Sequence, residues 1–310
     1  MVKREPVDFS KGQYRRMLDW QRKSMFSGET VERYARWVGL TRGMIAVDIG
    51  CGLGFLGYTF WEYFGQGGHY IGVDIRHSLL REAGDSSRVW KQNGEASFIA
   101  GDVYRLPLSD NSSDMVMCQT LMIHLDKPEL ALGEMLRLLK PGGIIFCIEP
   151  DNFRPTLVPA FTSLPEHDVK TQMLLYRVNL LTNKGRMELG RGDNGIAPRI
   201  PHLLAKLGMG NIEVRTREEV SFLEPPYDSK GQREKIENMK KHWLNDDNFR
   251  DRLKQHREEF LAGGGDPVEF EKVVKIGEKQ REIQLGQMER GEFYLCGAYP
   301  LYLIKGVKLR

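Results

Sequence analysis

Residues 47–57 read Val-Asp-Ile-Gly-Cys-Gly-Leu-Gly-Phe-Leu-Gly. An apolar run from Met44 to Ile49, interrupted by the acid Asp48, meets glycines at alternate positions, Gly50, Gly52 and Gly54, with Gly57 beyond them. Such a passage turns a buried strand abruptly into a helix. Glycine accepts positive φ and lets backbone approach a ligand closely, and the first amides of the following helix have no partner within it. Two patterns overlap here: Gly50-x-Gly52-x-Gly54, and Gly52-x-Gly54-x-x-Gly57, which matches the dinucleotide fingerprint. The loop alone therefore predicts a strand–turn–helix phosphate or adenosine cradle without choosing the ligand. Its surroundings have to decide.

Downstream, short apolar runs alternate with helical stretches, the pattern of βαβ units and a parallel sheet. Five strands are expected, at Met44–Ile49, Tyr70–Asp74, Phe98–Asp102, Met115–Gln119 and Ile144–Glu149. Each is nearly continuously apolar, as a strand covered on both faces must be. Gly65 to Gly68, Asn93-Gly94, Ser109 to Ser113 and Lys140-Pro141-Gly142-Gly143 supply the turns between them. Right-handed crossovers then give an α/β, doubly wound, Rossmann-like sheet.

Four regions follow from this reading. Residues 1–40 are expected to form N-terminal helices over the cofactor site, because Gln13 to Val38 carries Tyr14, Met17, Leu18, Met25, Tyr34 and Trp37 among charges. Residues 41–150 form the cofactor-binding core. Residues 151–210 make a lid or substrate region, with a helix around Met173 to Leu181 and the turn-rich Gly190 to Pro201. Residues 211–310 hold a sixth strand near Ile212 to Phe222 and a last strand, Phe293 to Ile304, separated by a charged helical insert, 224–291. Within that insert Asp266-Pro267 reads as an N-cap and first turn, and the glycines at 263–265 close the helix before it.

The composition, 41% hydrophobic and 28% charged with no apolar run of membrane-spanning length, predicts a soluble globular protein. No apolar signal segment follows the start, so the cytoplasm is the expected location. Cys51, Cys118, Cys147 and Cys296 are scattered without metal-ligand spacing and read as free thiols; no metal is expected. A net charge of +3 is too small to imply a polyanionic partner by itself. Lys11, Arg15, Arg16, Arg22, Lys23, Arg33 and Arg36 gather in the first forty residues, which at helical spacing reads as a solvated face.

Three features give the glycine loop its context. Asp74 ends the second strand, where a carboxylate can hold both ribose hydroxyls of an adenosine. Asp102 ends the third, in Gly101-Asp102-Val103-Tyr104-Arg105-Leu106-Pro107, where an acceptor would meet an adenine amine. Asp48 before the glycines and Leu139-Lys140-Pro141-Gly142-Gly143 before strand five are not expected of a nicotinamide domain. Taken with Gln119, these residues resemble, in order and spacing, the motifs of the class I S-adenosylmethionine-dependent methyltransferases across roughly residues 40–150. The resemblance implies a seven-stranded sheet with an antiparallel last strand and S-adenosyl-L-methionine as cofactor. It implies Gly50, Gly52 and Gly54 against the methionine part, Asp74 at the ribose, and Asp102 with Val103 at adenine; Asp48, Cys51, Ile75 and Gln119 complete the cofactor set. Gly195 to Leu204, ending in Leu207-Gly208, and the helical insert are similar to small-molecule methyltransferases near the quinone-biosynthesis type.

On the acceptor side, His124, just after strand four, is the candidate general base, against a reading as a structural histidine. Glu149 and Asp151 sit at the carboxyl end of strand five, where open α/β sheets bind substrate, although either could equally cap a turn. Glu149 is taken as the second catalytic candidate. Arg199 and His167 lie in the expected lid. The expected reaction is methyl transfer to a small-molecule acceptor by in-line displacement. The alternatives are a tRNA, rRNA or protein methyltransferase, or a nicotinamide-dependent oxidoreductase. Gln119-Thr120-Leu121-Met122 lacks the Pro-Pro-aromatic element used on exocyclic amines, and no Pro-Cys nucleophile or paired-glutamate loop is present, which argues against a nucleic-acid or protein substrate.

Overall fold

The computed structural model describes residues 26, 28–153, 160–217 and 220–309. The basic residues from Lys11 to Lys23 and the apolar residues from Tyr14 to Met25 lie outside the described residues. The chain divides into two compact units. The first comprises the described residues through Pro150, then Ile196–Thr216 and the chain from Leu301.

In the first unit, α1 (Gly28–Val38) precedes β1 (Ile45–Ile49), α2 (Phe55–Phe64), β2 (His69–Asp74), α3 (His77–Trp90), β3 (Glu95–Ala100), β4 (Ser113–Gln119), α4 (Pro128–Leu138) and β5 (Leu139–Pro150). In the second unit lie β6 (Phe161–Thr162) and α5 (Val169–Glu188). The first unit resumes with α6 (Ile200–Lys206) and β7 (Met209–Thr216). The second continues with β8 (Val220–Leu223), α7 (Lys230–Asn238), α8 (Asp246–Ala262), α9 (Pro267–Arg290) and β9 (Leu295–Ala298). The closing strand of the first unit is β10 (Leu301–Lys308).

The large sheet has seven strands in the order β3-β2-β1-β4-β5-β10-β7. Strands β1 to β5 pair in parallel, and β10 runs antiparallel to both β5 and β7. Side-chain alternation sorts the sheet into two cores. Met115 and Met117 of β4 and Phe146 and Ile148 of β5 face α1 and α2, packing on Tyr34, Leu56, Phe60 and Phe64. Val116, Cys118, Ile145 and Cys147 face the other way, toward Leu132 and Met135 of α4 and Leu204 of α6. Each of these buried large apolar side chains contributes roughly 1.5–3 kcal/mol, so the double burial explains why the strands read as unbroken apolar runs. The chain moves outward from β1 to β3 on one side and from β4 on the other. The β1/β4 boundary is therefore the topological switch point, and its crevice opens at the carboxyl ends of the strands.

The second unit contains a three-stranded antiparallel sheet, β6-β9-β8, and the helices α5, α7, α8 and α9. Asp168 caps α5 by accepting from the Thr171 amide at 2.7 Å, and Asp266 caps α9 through Val268 at 2.8 Å. Gly291, at φ 68°, ends α9. α5 and α8 touch backbone to backbone, because a Cβ on Gly185 would stand 1.7 Å from the Glu259 carbonyl oxygen and one on Gly263 2.0 Å from that of Leu181.

The expected sixth and last strands are each divided between the two sheets. The stretch near Ile212 to Phe222 separates into β7 and β8, and Phe293 to Ile304 into β9 and β10. Pro300, with no amide to offer a ladder, stands at the second break. Neither the apolar–polar alternation that opens 212–222 nor the mostly apolar run over 293–304 reports such a change of sheet. Among the described residues no helix is long and apolar enough to cross a membrane.

Candidate active site

The glycine loop leaves β1 with Gly50, Gly52 and Gly54 all at positive φ, 70°, 54° and 76°. These are left-handed conformations that a side chain would strain. Gly50 and Cys51 donate their amides to the Val73 carbonyl at 2.8 and 3.1 Å, tying the loop to the end of β2. Gly57 serves differently: it lies within α2, and a Cβ there would meet the Tyr70 ring at 2.7 Å. The last glycine of the dinucleotide-like pattern is thus a helix-to-sheet packing position. Tyr70 in turn donates its hydroxyl to buried Asp48 at 2.7 Å. The acid that precedes the glycines is consequently held beneath the loop by the strand beside it.

Asp74, at the end of β2, accepts from the Gly52 amide through Oδ2 and from the Arg76 amide through Oδ1, both at 2.9 Å. An ionised carboxylate offers about four lone pairs, so about two remain for a ligand. Its neighbour Ile75 is 62% exposed, an unusual state for a large apolar residue at a strand end.

Asp102 is exposed and accepts from the Tyr104 amide at 3.0 Å, making a tight turn after β3, while Val103 packs against the adjoining core. The loop is fixed from α4. Glu134 accepts from the Leu106 amide at 2.9 Å, and Arg137 donates to the carbonyls of Leu106 and Leu108 at 3.1 and 2.8 Å and to Asp110 at 2.6 Å. Arg137 also holds the Glu134 carboxyl below its ordinary range. Tyr104 donates its hydroxyl to Asp126 at 2.7 Å; burial and that carboxylate push the phenol up to about 12. Neither Arg137 nor Tyr104 stood out in the sequence, because an arginine on an amphipathic helix carries no mark of the carbonyls it reaches.

Gln119, buried, ends β4, and Thr120 follows at φ 52°. A β-branched residue in that region is strained and needs support from its surroundings. The support is Glu149. Its carboxyl is fully buried, and Oε1 accepts from the amides of Leu121 and Met122 at 2.7 and 2.9 Å. Burial raises its pKa to about 7 against the opposing pull of those amides. Oε2 has no hydrogen-bond partner among the described residues. The same turn carries His124, half-exposed in the 3₁₀ segment Met122–His124.

Asp151 belongs to the second unit, is buried, and accepts from the Phe153 amide at 3.1 Å as a turn cap does. His167 is half-buried in that unit; Arg199 is exposed in the turn Ala197–Arg199 of the first. Cys51, Cys118 and Cys147 are buried free thiols, and Cys296 is half-buried.

A strand–glycine-turn–helix at the switch point, followed by acids at the ends of β2 and β3, agrees with a match of residues 40–191 to the model of the methyltransferase domain. Residues 40–191 are a class I methyltransferase domain. The domain's family uses S-adenosylmethionine. An uncharacterized methyltransferase of Schizosaccharomyces pombe is 34% identical over 139 residues, which are 43% of this chain and 48% of that one. The demethylmenaquinone methyltransferase of Staphylococcus aureus strain MRSA252 is 32% identical over 133 residues, 43% of this chain and 53% of that one. The chain thus spans about half the length of these curated relatives. The crystal structure of a candidate methyltransferase from Bacillus halodurans C-125 shares the fold, with a TM-score of 0.51 at 14% identity, covering 91% of this chain and 100% of that one.

Proposed function

We propose that the chain transfers a methyl group from S-adenosylmethionine to a small-molecule acceptor. The observation that carries this reading is the Asp74 carboxylate, fixed by the Gly52 and Arg76 amides with lone pairs to spare at the end of β2. A cradle of three left-handed glycines beside it fits a cofactor whose backbone-facing part must come close.

The roles follow from position. Gly50, Cys51, Gly52 and Gly54 would lie along the methionine part, with Asp48 and Gln119 closing the loop from beneath. Asp74 would accept from the ribose hydroxyls. Exposed Ile75 and half-buried Val103 would flank the adenine ring, and Asp102 would accept from its amine. S-adenosylmethionine supplies an electrophilic methyl group on a sulfonium, which is displaced in line. The protein's part is alignment and exclusion of water. His124, on the turn after β4, is the group able to hold the acceptor's proton.

A small acceptor is supported by the name of the Staphylococcus aureus relative, a demethylmenaquinone methyltransferase. The test is a panel of small phenols, quinols, amines and thiols incubated with S-adenosylmethionine, with S-adenosylhomocysteine release as readout. Turnover with at least one metabolite and none with tRNA or protein supports the reading. Turnover confined to RNA or protein refutes it.

A further inference from the structure

We infer that Glu149 is a positioning residue of the cofactor site, clamping the strained turn after β4 against the glycine loop. The inference rests on the methyltransferase reading above. Three observations connect the parts. Oε1 of Glu149 gathers the amides of Leu121 and Met122 at 2.7 and 2.9 Å, two donors at the start of a turn that lies past the β4–β5 ladder, whose register ends at Gln119 and Ile148. Thr120 sits immediately before them at φ 52°, with its amide bonded to the Ile148 carbonyl at 2.9 Å, so the strained peptide is pinned on both sides to the end of β5. The side chain of Leu121 then reaches across to the glycine loop: a Cβ on Gly50 would stand 2.9 Å from Leu121 Cδ1.

The order of support is therefore carboxyl, turn, Leu121, Gly50. Gly50 needs its missing side chain twice, for its φ of 70° and to leave room for Leu121. Because the turn occupies that room, its position fixes the wall of the cradle along the methionine part and the place of His124. Full burial of Glu149 keeps it from touching an acceptor, so its influence passes through the turn. A neutral carboxylic acid still presents an acceptor oxygen to both amides, and the clamp does not require the charged form.

The test compares wild type, Glu149→Met and Glu149→Gln by calorimetric titration with S-adenosylhomocysteine. Methionine keeps the volume and removes the acceptor; glutamine restores an acceptor oxygen. The inference predicts affinity lowered roughly tenfold or more in Glu149→Met and recovered to within about threefold in Glu149→Gln. Adding Thr120→Gly to Glu149→Met should recover part of the loss, since glycine holds the positive φ without a clamp. That rescue is a readout a general loss of packing would not give. Wild-type affinity in a folded Glu149→Met variant overturns the inference alone, whereas absence of binding in the wild type overturns the methyltransferase reading with it. Should Glu149→Met fail to fold, amide exchange in the wild type decides: protected Leu121 and Met122 amides support the clamp, and exchange at unprotected rates refutes it.

Discussion

Replacing Glu149 by glutamine should remove a pH dependence that the wild type carries. The carboxyl is fully buried, and burial raises its pKa from 4.5 to about 7. The folded protein therefore holds this proton more tightly than the unfolded chain does. Below about pH 4.5 both states are protonated and the group costs nothing. As pH rises from there to about 7 the unfolded chain ionises first, and folding stability falls; above about 7 both states are ionised and the loss is complete. At 1.36 kcal/mol per pKa unit the total is about 3 kcal/mol, of which about 2 to 3 kcal/mol falls between pH 5 and pH 8. Cys118, whose thiol lies 4.0 Å from Oε1, is held protonated by its surroundings and does not titrate in this window. The assay is urea unfolding of wild type and Glu149→Gln at both pH values, compared as the difference between the two proteins so that all other titrating groups cancel. The stability of the variant relative to wild type should rise by about 2 to 3 kcal/mol from pH 5 to pH 8. A difference independent of pH would show that Glu149 is not desolvated as described.

Asp74→Ala should weaken S-adenosylhomocysteine binding by about 1–3 kcal/mol, since it removes both the proposed ribose acceptor and the anchor of the Gly52 amide; unchanged calorimetric affinity would move the ribose site elsewhere. His124→Ala should lower turnover by roughly 10²- to 10⁴-fold with partial recovery at higher pH, where the acceptor ionises unaided, and wild-type turnover would reduce the residue to packing. Gly57→Ala drives a methyl group into the Tyr70 ring, 2.7 Å away, and should cost about 1–3 kcal/mol in urea unfolding; a neutral result would mean that α2 can shift off β2 without penalty.

What the sequence made legible was whatever depends on periodicity and on glycine. The five parallel strands are apolar because two helical layers bury them, and Gly50, Gly52 and Gly54 mark a backbone that only glycine adopts at low cost. Asp74 and Asp102 were legible as acids at strand ends, and the structure sets Asp74 as the last residue of β2 and Asp102 two residues past the end of β3. Less visible were relations made only by the tertiary fold. The small β6-β9-β8 sheet draws one strand from each of three distant segments, and nothing in the pattern of 212–222 or 293–304 marks where the chain leaves one sheet for the other. Gly57 read as the last glycine of a dinucleotide fingerprint, a packing position, but the partner that requires its absent side chain, the ring of Tyr70, is brought to it by the fold alone. Glu149 read equally as an acid facing substrate and as a turn cap because it stands at a strand's carboxyl end; that its oxygen turns inward to the Leu121 and Met122 amides depends on Thr120 adopting a backbone conformation its side chain disfavours. Arg137 and its carbonyl partners are likewise joined by folding alone.

The central claim is that the glycine loop and Asp74 hold the adenosyl and methionine parts of a methyl donor. Calorimetric titration of the full chain with S-adenosylhomocysteine, and separately with NADH, tests it most directly. Saturable one-site binding of S-adenosylhomocysteine, reduced in Asp74→Ala, with no heat from NADH is the predicted result. Tight NADH binding with none of S-adenosylhomocysteine would contradict the account.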